Sequence, residues 1–208
     1  MNLKTKYLEQ RKMLGLLCAL LAPASVLLGI FGIKYNEPGW WYSISATYYA
    51  SSKIAMIGVL FTTAVYFFIY NGYDVKDKIC NRISSITALG VLLFPCSATT
   101  QTHVGLFCLP TSVSMVFHGI SAGVLFASFA YNCIFLFTLG NSGTSKKKIR
   151  NIIYRICGIV ILLTMTLLGL HSILNWPEWC VILLEWVILT SYAFAWFVKG
   201  EAIERLCD

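Results

Sequence analysis

Six long apolar runs dominate the sequence and constrain what it can fold into. They cover residues 13–33, 54–70, 83–98, 112–139, 152–173 and 179–198. A helix needs about 20 apolar residues to cross the hydrocarbon core of a membrane, and most of the runs approach or exceed this length. None of them shows the strict alternation of a transmembrane β-strand. The sequence therefore predicts an all-α, polytopic transmembrane bundle of six helices, folded as a single domain over residues 1–208.

The composition excludes soluble classes of protein. Of the 208 residues, 58% are hydrophobic and only 12% are charged. An ordinary soluble domain has roughly 45–50% apolar residues and about 25% charged residues. A soluble protein with so few charged residues cannot cover this much apolar surface. A soluble enzyme, a disordered chain and a secreted disulfide-rich domain are therefore excluded.

The basic residues predict how the chain is oriented. Of the 16 Lys and Arg residues, only Lys34 and Lys53 fall on the side of the membrane opposite to the termini. By the positive-inside rule, both termini are expected to be cytoplasmic, in a plasma membrane or a bacterial inner membrane. The net charge of +7 is then a consequence of topology and of contact with anionic lipids. Membrane lipids are the expected partners. The sequence leaves open whether the chain forms a homo-oligomer, and it implies neither a nucleic acid nor a soluble protein as a partner.

Ionisable side chains inside a membrane are costly, so they mark candidate functional sites. The predicted spans contain His118, His171 and Glu185. At a rise of about 1.5 Å per residue, all three fall in the outer third of the membrane. The predicted external loops add Ser45, Tyr48 and His103 at the same level. Together these six residues predict an outward-facing polar pocket that binds a lipid headgroup or another amphiphile.

Two other interpretations of these residues stay open at this point. In one, His118 and Glu185 form a structural hydrogen-bonded pair between helices. In the other, a zinc ion is bound by three histidines and a carboxylate, which is an acceptable donor set. Its ligands would be His103, His118, His171 and Glu185. The sequence has no HxxxH or HExxH spacing, so we expect no cofactor and keep zinc as the alternative.

The first predicted external loop is rich in aromatic and hydroxyl side chains over residues 37–49. Its aromatic residues are typical of a belt at the membrane interface. The alternative is a re-entrant segment that covers the outer pocket. Backbone at that depth needs polar partners, which the hydroxyls of Ser43, Ser45, Thr47 and Tyr48 can supply.

Two of the eight cysteines, Cys96 and Cys108, fall on the predicted external side within 13 residues, counting both ends. A disulfide between them would tether the segment that carries His103. Such a bridge requires an oxidising exterior. Cys96 and Cys108 are therefore the candidate disulfide pair.

Three features of the sequence resemble a known group of proteins. They are Ser43-Ile44-Ser45 in the first external loop, Leu93-Phe94-Pro95-Cys96 at the end of the third span, and His118 early in the fourth. With six spans and both ends inside, the chain resembles a loose group of six-span bacterial membrane proteins of unknown function. More distantly, it resembles the DRAM-type membrane proteins of eukaryotes. The resemblance implies a role linked to lipids or membrane homeostasis, although Ala46 stands where that group often has an acidic residue.

The leading expectation is an integral membrane protein that binds an amphiphile without carrying out a reaction on it. One alternative is a metal-dependent hydrolase or transferase of membrane lipids, with Glu185 as the base. A second alternative is a small transporter or proton-coupled carrier in which Glu185 and His118 titrate.

Overall fold

The computed structural model describes residues 3–72, 74–140 and 143–206. Within these ranges the chain forms an all-α fold, as predicted, with one short hairpin of two strands. The helices are α1 (Leu3–Phe31), α2 (Lys53–Ile69), α3 (Val75–Leu93), α4 (Thr111–Tyr131), α5 (Ser145–Leu174) and α6 (Trp179–Lys199). The strands β1 (His103–Val104) and β2 (Leu109–Pro110) pair in antiparallel fashion between α3 and α4. A π-helical turn, Asn132–Leu136, continues α4.

The six helices form a closed ring. Each packs against its neighbours in the sequence, and α6 also packs against α1. The start of α1 and the end of α6 meet, because a guanidinium nitrogen of Arg11 donates to the carbonyl oxygen of Lys199 at 3.5 Å. We call the end of the ring that contains this contact the terminal end, and the opposite end the loop end. The segment between α1 and α2 lies at the loop end.

Among the residues that the structure describes, four helical segments are long and apolar enough to cross a membrane. They are Thr5–Phe31, Thr111–Leu136, Ser145–His171 and Trp179–Lys199. The chain is therefore a helical bundle with the character of a membrane protein. Helix α2 is apolar but only 17 residues long, and α3 carries buried polar side chains such as Asp77 and Asn81. That these two helices also cross the membrane remains a prediction.

The third predicted span, 83–98, has the wrong boundaries. The helix begins at Val75, where the Asp74 carboxylate caps it by accepting a hydrogen bond from the Asp77 amide at 2.8 Å. It ends at Leu93, because the residue before Pro95 is biased away from helical conformation. Lys76, Lys78 and Arg82, which were predicted to lie in a loop, are therefore residues of α3. Hydropathy does not detect a polar first turn, so it placed the start of this helix too late.

Aromatic side chains fill the middle of the ring. Phe67 from α2, Phe129 from α4, and Tyr192 and Trp196 from α6 are all buried. The rings of Phe129 and Tyr192 stack, with centroids 3.8 Å apart and planes at 11°. This aromatic layer separates a cavity on the side of the loop end from a set of charged side chains on the side of the terminal end.

The charged side chains at the terminal end lie partly inside the ring. The Arg11 Nε group donates to the Tyr70 hydroxyl at 3.0 Å. Lys199 is only 7% exposed, and its ammonium donates to the carbonyl oxygen of Phe137 at 2.9 Å. The sequence predicts Arg11 and Lys199 at the membrane edge, as determinants of topology. In the structure they also join α1, α6 and the segment after α4.

Candidate functional site

Residues 40–50, which we call the plug, fold into the loop end of the ring. The plug contains a short 3₁₀-helix, Ser45–Tyr49. Its buried residues are Trp40, Ser43, Ile44, Ala46, Thr47 and Ala50. This burial favours a segment that covers the interior of the bundle over an aromatic belt at the membrane surface.

Hydroxyl groups within the plug satisfy its own backbone. The Ser43 hydroxyl oxygen accepts a hydrogen bond from the Ala46 amide at 2.9 Å. The Thr47 hydroxyl donates to the carbonyl oxygen of Ile44 at 2.6 Å. Such local bonds let a short turn form where the surroundings supply few polar partners. The hydroxyl-rich sequence is therefore what allows this segment to be buried.

The segment after α3 is held from one side by α4. The Nδ1 group of His118 donates to the carbonyl oxygen of Phe94 at 2.8 Å. The Ser114 hydroxyl donates to the next carbonyl, that of Pro95, at 2.7 Å. A carbonyl oxygen only accepts hydrogen bonds, so the proton lies on Nδ1 in this contact. The contact gives His118 a positioning role at the point where α3 ends.

The plug holds the same segment from the other side. The Tyr49 hydroxyl donates to the carbonyl oxygen of Cys96 at 2.7 Å, and the Tyr42 hydroxyl donates to that of Ser97 at 3.2 Å. Burial raises the pKa of both phenols above its ordinary value, so each remains a protonated donor. Four successive carbonyls, from residue 94 to residue 97, are therefore each bound by a side chain.

Glu185 connects α6 to the plug. Its Oε2 atom accepts a hydrogen bond from the backbone amide of Ile44 at 2.5 Å. Since His118 instead bonds to Phe94, the structure does not contain the His118–Glu185 pair that was one interpretation of the sequence. Glu185 acts here as a polar cap on the turn that opens the 3₁₀-helix of the plug.

An internal cavity lies between the plug and the aromatic layer. Its volume is about 40 Å³. Side chains of α1, α2, α3, α4 and α6 line it, together with Ile44 and Ser45 of the plug. Glu185 is the one carboxylate among its lining residues, which are otherwise mainly aliphatic and aromatic. The cavity is therefore an apolar space with a single acidic group at its edge.

A second space, the outer groove, is open and lies on the other side of the plug. Its volume is about 460 Å³, and its walls include Glu37, Tyr48, Lys53, Gln101 and His103. The Lys53 ammonium lies 3.9 Å from the centroid of the Tyr48 ring. The Gln101 amide donates to a carboxylate oxygen of Glu37 at 2.5 Å. The groove thus presents a fixed carboxylate and an ammonium among aromatic side chains.

The six residues of the predicted polar pocket lie in separate parts of the structure and do not form one site. Ser45 and Glu185 line the internal cavity, and Tyr48 and His103 line the outer groove. His118 bonds to the end of α3, as described above. His171 lies at the end of α5, where its Nε2 group donates to the carbonyl oxygen of Pro177 at 3.2 Å.

The residues proposed as zinc ligands are not brought together. Over residues 3–72, 74–140 and 143–206, no group of three or more His, Cys, Asp or Glu side chains lies close enough to hold a metal ion. His103, His118 and His171 each place a ring nitrogen within hydrogen-bond distance of a different neighbour. Glu185 faces the plug instead.

Cys96 and Cys108 are both free thiols in the structure, which does not contain the predicted bridge. Cys96 is buried. Cys108 is exposed and lies in the turn between β1 and β2, where its φ of 50° is left-handed. The hairpin therefore carries Cys108 towards the surface, while Cys96 stays buried next to Tyr49 of the plug.

Lys53 and Glu37 are charged groove residues that were not among the site residues predicted from the sequence. A signal for Lys53 was present, because it is one of only two basic residues on the predicted external side. Glu37 had no such signal, since its place beside Gln101 depends on the fold of the segment after α3.

Comparison of the chain with protein-family models, curated proteins and solved structures gives no match. The resemblance inferred from the sequence therefore stays a prediction.

Proposed function

We propose that this protein is an integral membrane protein that binds the zwitterionic headgroup of an amphiphile in the outer groove. The single observation that carries the proposal is the presence of Lys53 and Glu37 in one open groove with three tyrosines. Its volume of about 460 Å³ is within the range of about 300–1,000 Å³ that is usual for small-molecule sites.

The charges of the groove match the two halves of a phosphocholine-like or phosphoethanolamine-like headgroup. The Lys53 ammonium suits the phosphate. The Glu37 carboxylate suits the positively charged amine, and the rings of Tyr35 and Tyr49 add favourable surfaces for a cation. A headgroup that carries only one charge would leave either the Lys53 ammonium or the Glu37 carboxylate without a partner of opposite charge.

The position of the groove also favours a headgroup. Lys53 is the first residue of the apolar helix α2, so it lies at the level where the apolar part of the bundle ends. We propose that this end faces the exterior of a plasma membrane or bacterial inner membrane, with the termini in the cytoplasm. Fourteen of the 16 basic residues belong to the other side under this topology.

Binding without chemistry is the simplest function for this groove. Glu37 accepts hydrogen bonds from Gln101 and Thr99, and His103 contacts Thr102. These contacts orient groups that recognise a ligand. They do not align a base with a nucleophile in the way that hydrolysis requires.

The test is lipid retention by the purified protein. The protein is mixed in detergent with equal amounts of phosphatidylcholine and phosphatidylglycerol, and bound lipid is measured by native mass spectrometry. We expect phosphatidylcholine to be preferred. We expect Lys53→Gln to lower its retention by about tenfold, which is the size of effect given by the loss of one charge-assisted hydrogen bond.

Lys34→Gln is the matched control. Lys34 is the other basic residue on this side, it is exposed, and it does not line the groove. Its substitution removes the same charge and should leave retention unchanged. Equal retention by both variants, or a preference for phosphatidylglycerol, would contradict the proposal.

A further inference from the structure

The internal cavity and the outer groove are separated by one turn of the chain. Ile44 and Ser45 line the cavity, whereas Tyr48 and Tyr49, one helical turn later, line the groove. The plug is therefore a wall that the two spaces share. A small displacement of this turn would join a polar space to an apolar one.

This wall is fastened by a small number of hydrogen bonds to other parts of the chain. Glu185 accepts from Ile44 on the side of the cavity. Tyr42 and Tyr49 donate to the segment after α3 on the side of the groove. The bonds of Ser43 and Thr47 lie within the plug itself, so the turn can move as a unit without breaking them.

The lining of the cavity suits hydrocarbon. Leu60, Phe126 and Leu189 are typical of its walls, and the Thr63 hydroxyl already donates to Val59 within α2 at 2.7 Å. With the plug in place, about 40 Å³ is open, which holds only a few water molecules at about 10–15 Å³ each. A hydrocarbon chain can enter only if the plug shifts and vacates the space under it.

Building on the proposed headgroup site, we propose that the hydrocarbon chain of the same amphiphile enters the internal cavity when the plug shifts. The headgroup then stays in the outer groove, and the two spaces act as one site for a single-chain amphiphile of the lysophospholipid class. Five helices and the plug line this small cavity, which has room for one chain at most, so a second chain has to remain outside. The protein would therefore select single-chain over double-chain lipids with the same headgroup.

The experiment uses lysophosphatidylcholine with a photoreactive diazirine halfway along its chain. After irradiation with the wild-type protein, crosslinked residues are mapped by mass spectrometry. We expect crosslinks at Leu60, Phe126 and Leu189, which line the cavity. Phe61 and Val124 are lipid-facing controls on the same helices, because both side chains are exposed.

Variants separate this inference from the proposed function. Lys53→Gln should lower cavity crosslinks by about tenfold and leave surface crosslinks unchanged. Ala122→Leu, which fills part of the cavity, should lower them without affecting the headgroup. Ala127→Leu, on the exposed face of the same helix, should change neither. The wild-type crosslinking map decides the result even if Ala122→Leu does not fold.

Crosslinks confined to exposed residues, with retention that still depends on Lys53, would overturn the cavity inference and leave the headgroup site intact. Retention that is independent of Lys53 would overturn both. Equal affinity for lysophosphatidylcholine and phosphatidylcholine would contradict the selection for a single chain.

Discussion

The carboxylate of Glu185 accepts a hydrogen bond from the backbone amide of Ile44 at 2.5 Å, and this contact joins α6 to the plug. A glutamate carboxylate is charged at neutral pH when it is exposed to water, but the carboxylate of Glu185 lies beside an apolar cavity. Burying such a group is costly unless it is hydrogen-bonded. The bond to Ile44 offsets this cost, so Glu185 and the closed position of the plug depend on each other.

Removing the Glu185 carboxylate should loosen the plug. In Glu185→Leu the Ile44 amide loses its acceptor, and a charge-assisted hydrogen bond is worth about 1.5–3 kcal/mol. The plug should then open at least tenfold more often, since a factor of ten corresponds to about 1.4 kcal/mol. The measurement is the rate at which a membrane-impermeant maleimide labels a cysteine introduced as Ser45→Cys, in a chain that also carries Cys108→Ser.

Glu185→Gln is the matched variant for this measurement. Its amide oxygen can still accept from Ile44, so the labelling rate should rise much less than in Glu185→Leu. Identical rates in the wild-type, Gln and Leu backgrounds would show that the contact does not hold the plug.

A second prediction concerns the contact between α1 and the plug. A Cβ atom added at Gly29 would lie 2.3 Å from the Trp40 ring, closer than atoms approach. Gly29→Ala should therefore force Trp40 to move, at a cost of about 1–3 kcal/mol for an overpacked site. The expected result is a lower midpoint of thermal unfolding in detergent.

Gly58→Ala is the control, because nothing lies within 4 Å of a Cβ built at that position. Replacing glycine by alanine inside a helix normally stabilises it by about 0.5–1 kcal/mol. Gly58→Ala should thus raise the midpoint or leave it unchanged. A similar shift for both variants would mean that Trp40 does not pack as described.

These contacts show why the sequence predicted the helices better than the site. Long apolar runs report on helices directly, and α2, α4 and α6 begin within about one residue of their predicted spans. Helices α1 and α5 begin well before theirs, because their first turns are polar. The α3 boundary depended on the cap at Asp74 and on the break before Pro95, which hydropathy does not measure. The grouping of site residues depended on the plug, whose fold comes from hydroxyl-to-backbone bonds.

The role of His118 illustrates the same limit. Its residue type and depth indicated a polar pocket, and these properties fit a ligand-binding group and a structural group equally well. Only the path of the chain after α3 brings the carbonyl of Phe94 to its ring. Lys199 was similarly ambiguous. A basic residue at the end of a helix is typical both of the cytoplasmic edge of a membrane span and of a buried contact between helices.

The third prediction tests the charged contacts at the terminal end. Arg11→Met keeps most of the side-chain stem but loses the bond to the Tyr70 hydroxyl. We expect a loss of about 1.5–3 kcal/mol in the free energy of unfolding. Lys12→Met removes the same charge one residue later, where the Lys12 ammonium forms an exposed pair with Glu9 at 3.2 Å. Its cost should be no more than about 0.5 kcal/mol.

The comparison is made from thermal and denaturant unfolding of both variants in the same detergent. If the basic residues act only through topology, Arg11→Met and Lys12→Met should have equal effects. A larger loss for Arg11→Met supports a structural contact inside the ring.

The last prediction distinguishes free thiols from a bridge at the loop end. Burial raises the pKa of the Cys96 thiol to about 12, so at pH 8 almost none of it is thiolate, the form that reacts. Cys108 is exposed. Iodoacetamide at pH 8 should therefore label Cys108 rapidly and Cys96 very slowly, as measured on individual peptides by mass spectrometry. Because the reactive fraction increases as pH approaches the pKa, the rate at Cys96 should keep rising above pH 9. If the two cysteines instead form the disulfide predicted from the sequence, neither will react until a reductant is added.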